Sequence, residues 1–168
     1  MNTLPPEIVE TLKMFLEEDV RSGDLTTNVT IREDKTALAT IYAREKAILA
    51  GIKETEAIAY LTGLTYEVLS FKGNWVEAGT PVMRLRGSAR TILTVERLCL
   101  NIIQRMSGIA TKTYRMVSLA REVNPKVKIA CTRKTTPGFR FFEKRAVVIG
   151  GGDPHRYALD DMVLIKNN

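Results

Sequence analysis

Between Lys126 and Lys166 the sequence passes from apolar to loop to helical to glycine-rich and back to apolar, and this order restricts the fold most. Val127 and Ile129 alternate with polar residues up to Cys131, which predicts a short strand over Lys126–Cys131. Arg140–Val148 reads as a helix closed by Gly150-Gly-Gly152, and Asp161–Ile165 as a second apolar strand ending at Lys166. Strand, loop, helix, strand is the rhythm of an α/β barrel or a doubly wound sheet. In both, ligand groups gather on loops leaving the C-terminal ends of the strands. Thr132-Arg133-Lys134 and Lys166 fall at such ends.

The loop itself, Cys131-Thr-Arg-Lys-Thr-Thr-Pro-Gly-Phe-Arg140, sets cations beside hydroxyls, a proline and a glycine. The stretch closes with Gly150-Gly-Gly-Asp-Pro-His-Arg156, which holds the only histidine of the chain. Arginine offers a planar fork for carboxylate or phosphate, lysine a compact charge, and loop backbone amides add donors. Arg133, Lys134, Arg156 and Lys166 are therefore expected to surround a small, highly charged anion. His155 is read either as touching that ligand or as structural, and the triple glycine either as part of the site or as a flexible turn. No serine has a histidine at hand as a base, and neither Cys99 nor Cys131 has disulfide or zinc-like spacing, so both thiols are expected to be buried.

Charge distribution supports this location. The net charge of +6 divides into 11 Lys/Arg against 14 Asp/Glu in residues 1–96, a net of −3, and 14 against 5 in residues 97–168, a net of +9. An anionic partner belongs to the second half. A nucleic-acid binder would carry cations along an exposed helix with stacking aromatics. Phe139, Phe141 and Phe142 lie near cations, but their spacing fits helix packing better.

Upstream, Pro5-Pro6-Glu7 predicts a helix start, with Ile8, Leu12, Phe15 and Leu16 facing a core and Ser22–Thr27 as a turn. Residues 36–50 read as one long strand or two short ones, followed by a helix from Gly51 to about Leu61. Leu64–Phe71 and Val82–Arg86 are further strands, and turn clusters bracket Trp75-Val76. From Ser88 the pattern is strongly helical, with an apolar stripe of Ile92, Val95, Cys99, Ile102, Met106 and Ile109. Arg97, Asn101, Gln104 and Arg105 lie on its polar side. Ser107-Gly108 is expected to break or kink this helix before Ala110–Glu122 resumes it. The fold class is thus α/β: an N-terminal α+β sandwich with its linking helix over 1–108, then the first part of an α/β-barrel-like domain over 109–168. A closed barrel takes about 250 residues, so the barrel is expected to be truncated. No apolar run reaches the roughly 18 residues of a membrane span and no signal peptide is legible, so a cytoplasmic protein without membrane or nucleic-acid partners is expected.

Taken in order, Glu18-Asp19…Gly23-Asp24-Leu-Thr-Thr27, Glu96-Arg97…Asn101…Gln104-Arg105-Met-Ser-Gly-Ile-Ala-Thr111, Thr132-Arg-Lys-Thr-Thr-Pro-Gly138, Glu143-Lys144, Gly150-Gly-Gly152, His155-Arg156 and Leu164-Ile-Lys-Asn167 resemble quinolinate phosphoribosyltransferase, the decarboxylating nicotinate-nucleotide pyrophosphorylase of NAD biosynthesis. The resemblance covers essentially the whole chain. It implies transfer of a phosphoribosyl group from phosphoribosyl pyrophosphate to quinolinate, with loss of CO₂. It implies that Arg133, His155, Arg156 and Lys166 line the quinolinate site, and that Lys134, with Thr132 beside it, lies between the two substrates. Lys134 and Lys166 are the implied catalytic residues. Arg97 is implied to reach a substrate carboxylate across a homodimer or higher homo-oligomer, one subunit's sandwich capping the other's barrel. Arg105 is either a further contact or a helix-surface residue. Mg²⁺ is implied to accompany phosphoribosyl pyrophosphate, with its protein ligands outside this chain. Two neighbouring readings are a family relative associated with molybdenum transport and a non-catalytic half-site that binds quinolinate only.

Overall fold

A computed structural model describes residues 4–167. Its elements are α1 (Pro6–Val20), α2 (Leu25–Thr30), β1 (Thr36–Tyr42), β2 (Ala47–Ile48), α3 (Ile52–Leu61), β3 (Thr65–Val68), β4 (Trp75–Val76), β5 (Pro81–Ser88), α4 (Ala89–Val123) and α5 (Arg140–Ile149). Proline at the start of α1 gives up an amide that would lack a helical partner anyway. The turn expected at Ser22–Thr27 winds into α2 instead. Asp24 caps it, accepting a hydrogen bond from the Thr27 amide at 2.9 Å.

β5 lies between β1 and β3, antiparallel to both, and β2 pairs antiparallel with β4. The expected 36–50 segment is therefore two strands that belong to two different sheets. Alternation puts Val82, Met83 and Leu85 of β5 in the core and Arg84 and Arg86 outside. The irregularity at Ile41/Tyr42 lets Val82 and Met83 both turn inward.

α4 is the shared spine. Its stripe of Ile92, Val95, Cys99, Ile102 and Met106 is buried against α1, α3 and the sheets, as the periodicity predicts, whereas Ile109 is only partly buried and Ala110 beside it is fully buried. The break expected at Ser107-Gly108 does not occur: α4 runs unbroken for 35 residues. The reason is local. The Ser107 hydroxyl accepts from the Ala50 amide at 3.0 Å and donates to the Ala50 carbonyl at 3.1 Å, while Thr111 accepts from the Ile48 amide at 2.8 Å. Buried backbone at the end of β2 is satisfied only if the helix continues through 107–111. Gly51 allows that closeness, since a Cβ there would lie 2.8 Å from the Ile103 Cα.

The two strands expected after α4 are not strands. Lys126–Cys131 contributes one parallel bridge, Ala130 to Asp153, with Asp153 N–H donating to Ile129 O and Cys131 N–H to Asp153 O. Asp161–Ile165 has no strand pairing among the described residues, and Val163 and Ile165 are almost fully exposed. Apolar alternation specifies a strand only where a neighbouring strand takes up its amides and carbonyls. α5 forms where expected and buries Phe142, Ala146 and Val147. Phe142 packs with Phe139 at 4.6 Å between ring centroids and with Phe15 of α1 at 5.8 Å. These rings are core, so they supply no stacking platform for bases.

Candidate anion-binding site

The site is built from two loops that leave the Ala130–Asp153 bridge side by side. In the first, the Thr132 hydroxyl accepts from the Lys134 amide at 3.0 Å, which tightens the chain where the cations begin. Phe139 N–H donates to Thr136 O at 3.0 Å, with proline at 137 and positive φ at Gly138, the arrangement of a type II turn. Glu143, one turn into α5, then holds the loop. Its carboxylate accepts from the Thr136 hydroxyl at 3.0 Å and from Arg105 of α4 at 2.7 Å. Burial works to raise the Glu143 carboxyl, but Arg105 and Thr136 outweigh it and hold the group below the usual glutamate value. Arg105 is thus engaged by Glu143 and the Thr136 hydroxyl, although its guanidinium still borders the neighbouring cavity.

The second loop begins with the three glycines, and they are not interchangeable spacers. A Cβ on Gly150 would lie 2.8 Å from Thr113 Cβ, and one on Gly152 2.7 Å from Thr113 Cγ2, so both press against α4. Gly151 supplies the left-handed backbone between them. The reading of this triplet as a flexible turn is therefore corrected to a packed one. His155 also has positive φ, which is unusual for a residue with a side chain. Asp153 holds it there, accepting from the His155 amide at 2.7 Å. His155 Nδ1 accepts from the Arg156 amide at 2.6 Å, which selects the tautomer with its proton on Nε2 and leaves that nitrogen as a donor. Arg156 donates to the Met162 carbonyl at 3.3 Å, tying this loop to the final segment.

Thr132 and Lys134 line a cavity of about 230 Å³ together with Cys131, Arg105, Glu143 and Lys144. Arg133 lies beside them with its Nε buried and without an acceptor among the described residues. A donor in that condition costs about 1–3 kcal/mol until an acceptor reaches it. Lys166 lies in the exposed, irregular segment and has no hydrogen bond or ion pair among the described residues. Arg97 is exposed on α4, eight residues before Arg105, and does not line this cavity. The structure thus gathers Thr132, Arg133 and Lys134 in one loop, sets His155 and Arg156 on the next, and leaves Arg97 and Lys166 apart. Among the described residues no group of three His, Cys, Asp or Glu side chains comes together as a metal site.

Two features were missed in the sequence. Lys144 is only 4% exposed, its ammonium directed at the Pro154 carbonyl. No local signal announces it: α5 has a polar side formed by Arg140, Glu143 and Lys144 itself, so helical spacing alone places position 144 toward solvent. Cys131, expected to be buried, is partly exposed and donates to the Pro154 carbonyl at 3.1 Å. Cys99 fits the expectation, burial pushing its thiol up to about 12. No helix among the described residues is long and apolar enough to cross a membrane.

Comparison with known proteins extends the pattern to the whole chain. The chain is 48% identical over 141 residues to the probable nicotinate-nucleotide pyrophosphorylase (carboxylating) of Archaeoglobus fulgidus, covering 84% of this chain and 55% of that protein. It is 47% identical over 157 residues to the protein of the same name from Methanocaldococcus jannaschii, covering 94% and 55%. Among solved structures, NadC from Streptococcus pyogenes superposes with a TM-score of 0.90 at 35% identity, over 99% of this chain and 60% of that one. The chain thus spans little more than half the length of the relatives it matches. The family model for the quinolinate phosphoribosyl transferase N-terminal domain matches residues 24–107, and that for the C-terminal domain matches 109–168. With two domain models matched in sequence order and relatives approaching half identity, the chain belongs to the quinolinate phosphoribosyl transferase family.

Proposed function

We propose that the whole protein transfers the phosphoribosyl group of phosphoribosyl pyrophosphate to quinolinate and releases pyrophosphate and CO₂, giving nicotinate mononucleotide for NAD biosynthesis. The observation that carries this reading is the buried, unpartnered Nε of Arg133 beside Lys134 and the His155-Arg156 loop. A planar dicarboxylate supplies the acceptor that this donor lacks and the two charges that the cations call for.

The chemistry suits these residue types. The ring nitrogen of quinolinate attacks the anomeric carbon with a lone pair it already has, so no strong general base is needed. Positioning and charge neutralisation then carry the rate. Arg133, His155 Nε2 and Arg156 hold the carboxylates, with Lys166 closing the site from the last segment. Lys134, beside Thr132, faces the interval between the substrates, where charge moves as pyrophosphate departs. The 2-carboxylate then leaves as CO₂, its electron pair stabilised by the adjacent pyridinium. Mg²⁺ belongs to this proposal only as the companion of phosphoribosyl pyrophosphate. No ligand set for it is found among the described residues, and no step is assigned to it. A cytoplasmic homodimer or higher homo-oligomer, with Arg97 given to the partner's site and the chain divided near residue 108, completes the reading.

The test is to mix the protein with quinolinate, phosphoribosyl pyrophosphate and Mg²⁺ and follow CO₂ and nicotinate mononucleotide. Product supports the transferase. Quinolinate binding without product, lost in Arg133→Ala, supports a half-site. No binding of either substrate by the folded chain overturns both.

A further inference from the structure

Three consecutive residues of α5 reach three different parts of the molecule. Glu143 holds the Thr132–Gly138 loop and Arg105, Lys144 points at the Pro154 carbonyl, and Arg145 lies 2.9 Å from Glu54 of α3. Lys144 is the one whose presence needs explaining. Its side chain is nine-tenths buried, yet no ion pair among the described residues includes it. Its other contact is the Cys131 thiol, at 3.5 Å. A buried ammonium satisfied only by a carbonyl and a thiol is expensive, and a methionine of similar length would fill the same space at less cost.

The position of that contact gives the reason. Pro154 sits between Asp153, which bridges Ala130, and His155, which is held at positive φ. The same carbonyl accepts the Cys131 thiol, so Lys144 grips the point where the two loops diverge. Lys144 also lines the 230 Å³ cavity, where three cations (Arg105, Lys134, Lys144) face one carboxylate, Glu143. That carboxylate is already engaged by Arg105.

We propose that Lys144 is a positioning residue of the anion site: it fixes the His155-Arg156 loop through the Pro154 carbonyl, and its uncompensated charge favours a dianion in the adjoining cavity. Its counter-charge is the substrate's. This rests on the reading of the site as a quinolinate site, but the loop-fixing half of it does not.

Two measurements separate the parts. Hydrogen exchange of the His155 and Arg156 amides in Lys144→Met is expected to speed about tenfold or more, while amides of α3 and β5 keep their wild-type rates. Titration of the same variant with quinolinate is expected to give a Kd raised about tenfold or more, with Lys144→Arg recovering most of the loss. Unchanged exchange at 155–156 in a folded Lys144→Met overturns the positioning role. An unchanged quinolinate Kd overturns the electrostatic role. If wild-type protein binds no quinolinate, the functional reading fails while the exchange measurement still decides the positioning. Should Lys144→Met not fold, Lys144→Gln keeps a donor for Pro154 and removes the charge. It is expected to keep slow exchange at 155–156 and to weaken quinolinate binding, and failure of either result overturns the corresponding half.

Discussion

Gly108 lies on the exposed side of α4, and a methyl group built there meets nothing within 4 Å. Its freedom is therefore only an entropic cost to the helix, and Gly108→Ala is expected to stabilise the protein by about 0.5–1 kcal/mol. Gly150 presents the opposite case, because its added Cβ would press on Thr113 and the Ala110 carbonyl. Gly150→Ala is expected to cost about 1–3 kcal/mol and to push the His155 loop away from α4. Thermal unfolding of the two variants side by side checks the contrast in sign. Glu54 sets a third test. Burial pushes its carboxyl above the usual glutamate value, and Arg145 opposes that shift. A carboxyl raised on folding contributes stability below its unfolded pKa and loses it as pH rises through the folded one. Arg145→Met raises Glu54 further. Its cost is expected to be small near pH 4 and to grow to about 2–4 kcal/mol at pH 7, as the orphaned buried carboxylate must ionise. Urea unfolding at the two pH values measures it, and a cost independent of pH would show that the pair carries no such linkage.

At the scale of elements, α4 depends on hydrogen bonds that run from its flank to the end of β2. Ser107→Ala leaves the Ala50 amide and carbonyl without that hydroxyl, and about 1–3 kcal/mol of stability should be lost. Amide exchange at Ala50 should speed with it, whereas exchange in β5 should not. The same contact explains a limit of sequence reading. Periodicity located α1, α3, α4 and α5 because each buries a stripe, and that much is written in local spacing. The continuity of α4 through Gly108 was hidden, since Ser-Gly has poor helix propensity and the partner at Ala50 lies 57 residues away. α2 was hidden for a similar reason: Asp24-Leu-Thr-Thr27 suits a turn and a capped helix equally well, and its packing on α4 decides between them. Lys126–Cys131 and Asp161–Ile165 carry strand-like sequence without strand pairing, because alternation specifies a face but not a neighbour. Within the candidate site, the cations of the Thr132–Gly138 loop could be picked out by residue type. The Glu143 clamp and the burial of Lys144 could not, because both depend on which face α5 turns toward the loops.

At the scale of the whole molecule, Arg97 sets the test. It is exposed on the same helix as Arg105 but outside the cavity lined by Thr132 and Lys134, and the proposed reading assigns it to the site of a second copy. Closed two-fold assemblies place each contact twice, which makes this testable by mixing defects. Arg97→Ala removes the residue a subunit gives away, and Lys134→Ala one that it keeps. Each variant alone should bind quinolinate weakly or not at all. When the two are unfolded together and refolded at equal amounts, random pairing makes about half the dimers mixed. Each mixed dimer then has one site with Lys134 from one subunit and Arg97 from the other, and one site that lacks both. About a quarter of the wild-type number of tight sites should reappear, at wild-type affinity. Calorimetric stoichiometry reads this number directly. Recovery of none would place Arg97 in its own subunit's site or outside the chemistry. Recovery with Arg105→Ala in place of Arg97→Ala would move the cross-subunit role to the residue that Glu143 holds.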